Sequence, residues 1–200
     1  MRRKFLNLLE TPPVREAQAA AYGVAPVRPP LGDLVPLTED ERAFIEARDS
    51  FYLASISESG WPYIQHRGGP RGFLRALDDR HLAFADYSGN LQLISTGNVS
   101  TDARVCLFLM DYPARERLKI LALARVLPAD DPRLADLAKP PGTKVERGFL
   151  LEVQGYDWNC PKYITPRFTA AEVELLATGL RERIREREDE INQLRPGKIR

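Results

Sequence analysis

The side chains best suited to grip an anion gather in the middle of this chain: Gln65, His66, Arg67, Arg71, Arg75, Asn90, Gln92, Arg117 and Lys119. Arginine offers a planar fork of donors that matches a phosphate or carboxylate. Arg67 and Arg75 stand in strand-like runs whose neighbouring apolar residues must be buried, so the fold sets their positions. Asn90 and Gln92 belong to "FADYSGNLQLISTGNVS", residues 84–100, where a buried-strand pattern gives way to small and polar residues. Gly89–Asn90 would open one or two helical turns, and the free amides at a helix start attract anions. A phosphate grip at the end of a barrel and a solvated polar surface both fit this composition.

Other chemistries find less support. His66 and His81 are the only histidines, and Cys106 and Cys160 the only cysteines. None stands beside a nucleophile or base in a hydrolase pattern. None has zinc-ligand spacing. "GGPRG" lacks the Lys-Ser/Thr of a P-loop, and no GxGxxG opens a helix.

The elements that would hold these residues are mainly β. "FYLASIS" and "WPYIQHR" flank "ESG", a hairpin signal, and the period of two puts Trp61, Tyr63, Gln65 and Arg67 on one face. "FLRALD", "HLAFADY", "ARVCLFLMDY", "RLKILALARVLP" and "RGFLLEVQGYDW" complete about seven short strands, a pattern of barrels and sandwiches rather than βαβ arrays. Thr38 with Glu41 forms a capping box for a helix over 39–48, and Thr169 with Glu172 another for a C-terminal helix. "DPRLADLA" predicts a short helix opened by Asp130 or Asp131. The prolines of residues 1–37 argue for an extended arm with at most a short helix at "REAQAAAYG". The resulting division is an arm over 1–37, a barrel over 38–168 and a helix over 169–200. That helix repeats Val173, Leu176, Leu180, Ile184, Ile191 and Leu194 on one stripe, which either the barrel or a dimer partner would cover.

Bulk properties narrow the partners. A formal net charge of +1 gives no general attraction to nucleic acid or acidic membranes. No apolar run approaches the ~20 residues of a membrane span. The cysteine usage suggests a reducing, cytoplasmic setting.

The segments "IQHRGGPRGFLRALDDRHLAFADYSGNLQLISTGNV", "ARVCLFLMDYPARERLKILALARV" and "GYDWNCPKYITPRF" together resemble the pyridoxamine 5′-phosphate oxidase-related family of FMN-binding split barrels, over roughly residues 38–169. The resemblance implies a split β-barrel with flanking helices and a homodimer with FMN at the subunit interface. It implies that Arg71, Phe73, Leu74 and Arg75 lie along the flavin, with Arg75 as the phosphate cation, and that Ala85 and Asp86 end the next strand. The oxidases' phosphate-binding Arg-Lys pair falls near Asn90 to Gln92, where this chain offers amides. Arg75, Arg67 or backbone amides around Ser88 to Asn90 would then meet the phosphate. Gln65 or Lys119 would face the flavin pyrimidine, and Trp158 would close over the ring from the partner. Tyr63 and Trp61 would extend that aromatic wall; core packing is the competing role, more so for Trp61 than for Trp158. His66 completes the implied set.

The family's Arg-x-His substrate element is absent, since no histidine follows His81. True pyridoxamine 5′-phosphate oxidation is therefore not expected. The resemblance leaves an FMN-dependent oxidoreductase acting on a small-molecule substrate or electron donor. The alternatives are a flavin-binding or stress-related protein without turnover, and a split barrel binding a deazaflavin or haem.

Overall fold

A computed structural model describes residues 3–24, 36–89, 91–158 and 161–194. Seven strands form one antiparallel sheet: β1 (Ser50–Ile56), β2 (Pro62–Gly68), β3 (Leu74–Ala76), β4 (His81–Tyr87), β5 (Arg104–Asp111), β6 (Glu116–Pro128) and β7 (Val145–Trp158). Their order is β2-β1-β5-β6-β7-β4-β3. The sheet is rolled. Phe51 on β1 meets Phe84 on β4 at a centroid distance of 5.2 Å, although three strands separate β1 from β4. Only a sheet curled around a common core can bring them together.

The inner face of the roll carries the main core, including Phe51, Leu53, Phe84, Leu107, Leu118, Ile120 and Phe149. On the outer face Ala83 and Ala85 of β4 lie under Leu134 and Leu137, beside Leu127 and Leu150. Leu134 ends a single 3-10 turn, Pro132–Leu134, opened by Asp131, whose carboxylate accepts from the Arg133 amide at 3.0 Å. β4 is thus buried on both faces. β2 sits at the sheet edge, where Pro62 is tolerated, and alternates exposed with half-buried residues along its length.

The described residues form five α-helices, α1 (Arg3–Leu9), α2 (Pro12–Tyr22), α3 (Glu39–Glu46), α4 (Ile94–Thr101) and α5 (Ala170–Leu194), of which α1, α3 and α4 pack on the sheet. The short helix expected at "REAQAAAYG" is present as the larger part of α2, but helix takes up more of the arm than expected, since α1 precedes it and α2 starts earlier. Pro12 and Pro13 occupy the first turn of α2, where a missing N–H costs nothing, so they start a helix rather than prevent one. α1 docks on β7: Phe5 is buried, and an added Cβ on Gly155 would stand 3.1 Å from the Phe5 backbone. Residues 25–35 of the predicted arm lie outside the described residues.

Both capping boxes are present. At Thr38 the partner carboxylate, Glu41, also accepts from the Trp158 indole at 2.7 Å, so one cap ties α3 to the end of β7. Burial alone would raise the Glu41 pKa; donation by the Thr38 hydroxyl, the Trp158 indole and the Thr38 amide outweighs it and holds the carboxyl below its ordinary value. Tyr156 beside it is pushed up to about 12 by burial and by the Glu41 carboxylate.

Candidate functional site

The edges of the sheet are β2 and the short β3, which pairs with β4 only from Leu82 to Phe84, so the seam where the sheet fails to close lies between β2 and the uncovered end of β4. Side chains span that seam. The Arg67 guanidinium donates to one oxygen of Asp86, and Arg147 of β7 donates to the other at 3.0 Å. Arg147 also pairs with Glu146 at 2.9 Å. The Arg67 and Asp86 side chains are only 12% and 9% exposed, so this is a largely desolvated Arg–Asp–Arg bridge. Register explains the meeting: Asp86 and Arg147 are Cα partners, as are Phe84 and Phe149 one repeat inward. Those two rings stack at 4.8 Å, and Arg67 rides over both, at 5.6 and 5.5 Å from their centroids. Desolvation lowers the Arg67 pKa and Asp86 works against that shift. Its Nε is buried without a hydrogen-bond partner among the described residues.

Beside this bridge lies a groove of about 220 Å³. Tyr63, Gln65 and Arg67 of β2 line one wall, Asp86 and Tyr87 of β4 the floor, and residues between Gly89 and Thr96 the other wall. The β4–β7 pairing shifts register between Asp86 and Tyr87, a bulge that re-aims the strand end toward the groove. Leu91 and Leu93 then take left-handed backbone, φ 63° and 51°. Such values cost a leucine about 1–2 kcal/mol each and collect at functional loops. They also delay the helix: the sequence expectation opened it at Gly89–Asn90, whereas α4 begins at Ile94 after the coil. Ser95 in its first turn is buried and donates to the Gln65 side-chain carbonyl at 2.9 Å, and Asn98 donates to Ser55 at 2.9 Å. These two bonds fix α4 to β2 and β1.

The remaining predicted residues scatter. Gln92 lines the groove; Ser88 precedes it in the same loop, and Asn90 lies outside the described residues. His66 points to the opposite face of β2, against Tyr52. Arg75 pairs with Ala83 on the outer face, is 48% exposed, approaches Glu46 at 4.0 Å, and lines a separate depression with Arg133 and Asp136. Phe73, Leu74 and Ala85 are core side chains. Arg71 lies near Arg48, Asp111 and Arg167. Lys119 pairs with Asp157 at 3.0 Å beneath Phe5. Trp158 packs edge-on against Phe44, 4.7 Å away, whereas Trp61 is 76% exposed at the hairpin. The expected order of core packing for the two tryptophans is reversed, because β7 is central and β2 is an edge.

Arg147, Glu146 and Tyr87 were absent from the sequence expectation. Arg147 sits in an ordinary "VERGF" strand start, and only the β4–β7 register shows that it faces Asp86. Among the described residues no group of three or more His, Cys, Asp or Glu could hold a metal, and no helix is long and apolar enough to cross a membrane.

Residues 37–153 match the family model of pyridoxamine 5′-phosphate oxidase. Solved structures that resemble this chain include a Lactobacillus delbrueckii protein assigned to the pyridoxamine 5′-phosphate oxidases, 23% identical, covering 61% of this chain and 93% of its own, TM-score 0.47. HupZ of Group A Streptococcus is 11% identical, covering 66% and 99%, TM-score 0.47. The haem storage protein HutZ of Vibrio cholerae is 12% identical, covering 62% and 94%, TM-score 0.43. No curated protein matches the chain in sequence.

Proposed function

We propose, from the premise that this chain belongs to the pyridoxamine 5′-phosphate oxidase family, that it binds FMN and serves as a cytoplasmic flavoprotein oxidoreductase for a small-molecule substrate. One observation carries the reading. The buried Arg67 guanidinium, braced by Asp86 over two stacked phenylalanines, lines a polar groove together with Arg147. The donor set suits a phosphate: Arg67 and Arg147, the Gln65 and Gln92 amides, and main-chain N–H groups of the loop after Gly89. Asp86 and Glu146 offset the two guanidinium charges, so orientation and amides contribute more to the grip than net charge.

The groove is smaller than the roughly 300–1,000 Å³ of a pocket that engulfs a whole ligand. It suits the phosphate end of FMN, and the ring needs a further wall. That need supports a homodimer with the flavin between subunits. FMN, when bound, supplies hydride chemistry at its ring. This chain's part is to hold the phosphate, orient the ring and exclude water. Tyr63 on the groove wall is placed to meet a planar group.

The absorption spectrum of the purified protein, with anaerobic titration by NAD(P)H, tests the reading. Flavin bands that bleach on reduction support it. Flavin bands that no donor bleaches would indicate a binder without turnover, and a Soret or deazaflavin band would replace FMN with another cofactor. Arg67→Ala should weaken FMN binding by about 1.5–3 kcal/mol, the range of a charged hydrogen bond. Arg75→Ala, on the opposite face of the sheet, is the comparison. If Arg75→Ala gives the larger loss, the phosphate lies on the outer face and the groove is not its seat.

A further inference from the structure

α5 is a 25-residue helix with no buried residue. In three unbroken heptads, Val173, Ala177, Leu180, Ile184, Arg187, Ile191 and Leu194 occupy alternating a and d positions. Leu180 and Ile184 are 59% and 57% exposed. An isolated helix with an uncovered apolar seam gains little from propensity and much from a partner. The charges beside the seam identify that partner.

We propose that α5 pairs with α5 of a second copy of this chain, antiparallel, in the register that sets Ile184 against Arg187 and Leu180 against Ile191. In that register the flanking positions match four times over. Arg183 of each copy meets Glu190 of the other, and Arg181 of each meets Glu188 of the other. The seam layers also fill: Ala177 faces Leu194, small against large. Sliding the helices by one heptad in one direction sets Arg183 against Arg183 and Arg181 against Arg181. Sliding them the other way sets Glu190 against Glu190 and Glu188 against Glu188. A parallel pair brings the two Arg187 guanidiniums together in the seam, whereas the antiparallel register stacks each on an isoleucine. Within one chain Arg181 and Arg187 bond Glu174 and Glu190, both at 2.7 Å on the exposed surface. Arg183 and Glu188 are left with no side-chain partner among the described residues. The surface is separate from the flavin groove and does not depend on the flavin reading.

Hydrogen exchange on the full-length protein tests the pairing. The amides of residues 177–194 should exchange roughly tenfold or more slowly than in a helix that frays alone. The variant R181E/R183E should lose that protection, E188R/E190R should lose it too, and an equimolar mixture of the two should recover it. Recovery on mixing separates pairing between copies from loss of the in-chain Arg181–Glu174 bond. Direction is read from nitroxide labels at Ala171→Cys, with Cys106 and Cys160 replaced by Ser. Antiparallel pairing separates the labels by about 29 residues of helix rise, roughly 44 Å at 1.5 Å per residue. A short distance would establish a parallel pair and overturn the proposal. So would unprotected amides in the wild-type protein, or protection that neither charge variant disturbs. If the protein labelled at Ala171→Cys does not fold, the same label at the exposed Thr178→Cys decides the direction: about 15 residues of rise, roughly 23 Å, in the antiparallel pair, and a much shorter distance in a parallel one.

Discussion

Replacing Asp86 by Asn keeps its size and removes the one anion between Arg67 and Arg147. In the folded protein Asp86 accepts from both guanidiniums. The side chains are 12% exposed for Arg67, 9% for Asp86 and 18% for Arg147, so water cannot fully replace the lost partner. Removing one member of a buried ion pair costs about 3–5 kcal/mol, most of it the penalty of the charge left behind. The stacked Phe84 and Phe149 rings return part of this to Arg67, about 1 kcal/mol for a desolvated cation over aromatic faces. Arg147 keeps Glu146 at 2.9 Å. A net loss of about 2–4 kcal/mol follows, against the 5–15 kcal/mol typical of a domain. Urea unfolding at neutral pH measures it. The companion Arg67→Met removes the stranded cation and fills its volume over the rings. The double variant should therefore be less destabilised than the two singles added together, by about 1–3 kcal/mol of coupling. A loss below about 1 kcal/mol, or strict additivity, would refute the view that this bridge closes the seam.

Three further outcomes follow from other parts of the molecule. Gly155→Val places branched carbon against the Phe5 backbone, which lies only 3.1 Å from where a Cβ on residue 155 would stand; α1 should undock, losing about 2 kcal/mol of Phe5 burial, and tryptic cleavage near Lys4 should accelerate while the barrel stays folded. Glu41 has a depressed folded pKa, so its contribution is present above the ordinary carboxylate value near 4.5 and is lost as pH falls through the folded value; Glu41→Gln should flatten the acid limb of the Tm-against-pH curve, and an unchanged limb would contradict the assignment. Leu91→Arg adds a cation where the groove loop has none, and should tighten FMN binding about tenfold, near 1.4 kcal/mol, by flavin-fluorescence titration; unchanged affinity would place the phosphate elsewhere.

What the sequence made legible is local. The period of two on "WPYIQHR" put Tyr63, Gln65 and Arg67 on one face, and they share a groove wall. Thr38–Glu41 and Thr169–Glu172 announced their helices by side-chain chemistry within one turn. The barrel followed from strand count and turn spacing. What escaped depends on residues far apart in the chain. Asp86 meets Arg67 across 19 residues and Arg147 across 61, through a register that no local pattern encodes. Arg75 has the same strand-like setting as Arg67, but β3 and β2 present their arginines to opposite faces of the rolled sheet. The coil at Leu91 and Leu93 was hidden for another reason: leucine carries no sign of left-handed backbone, so an ordinary helix start was the natural reading.

The seam gives these pieces a common cause. A seven-stranded sheet that curls without closing leaves two edges whose inward side chains must meet something other than a backbone ladder. Apolar residues would seal that gap, as Phe51, Phe73 and Phe84 do deeper in the roll. At the mouth the chain instead uses charge: Arg67 from one side, Asp86 from the other, Arg147 from the strand beneath. Such a bridge contributes less net stability than an apolar seal of equal volume. Among the described residues it stands where a strained loop, a bulge and a polar groove converge, the arrangement on which the proposed phosphate seat rests. An anion seated there competes with Asp86 for the same guanidinium. Ligand binding and seam stability are therefore coupled: bound FMN should raise Tm in the wild-type protein, and raise it further in Asp86→Asn, where the anion replaces a missing partner rather than sharing one.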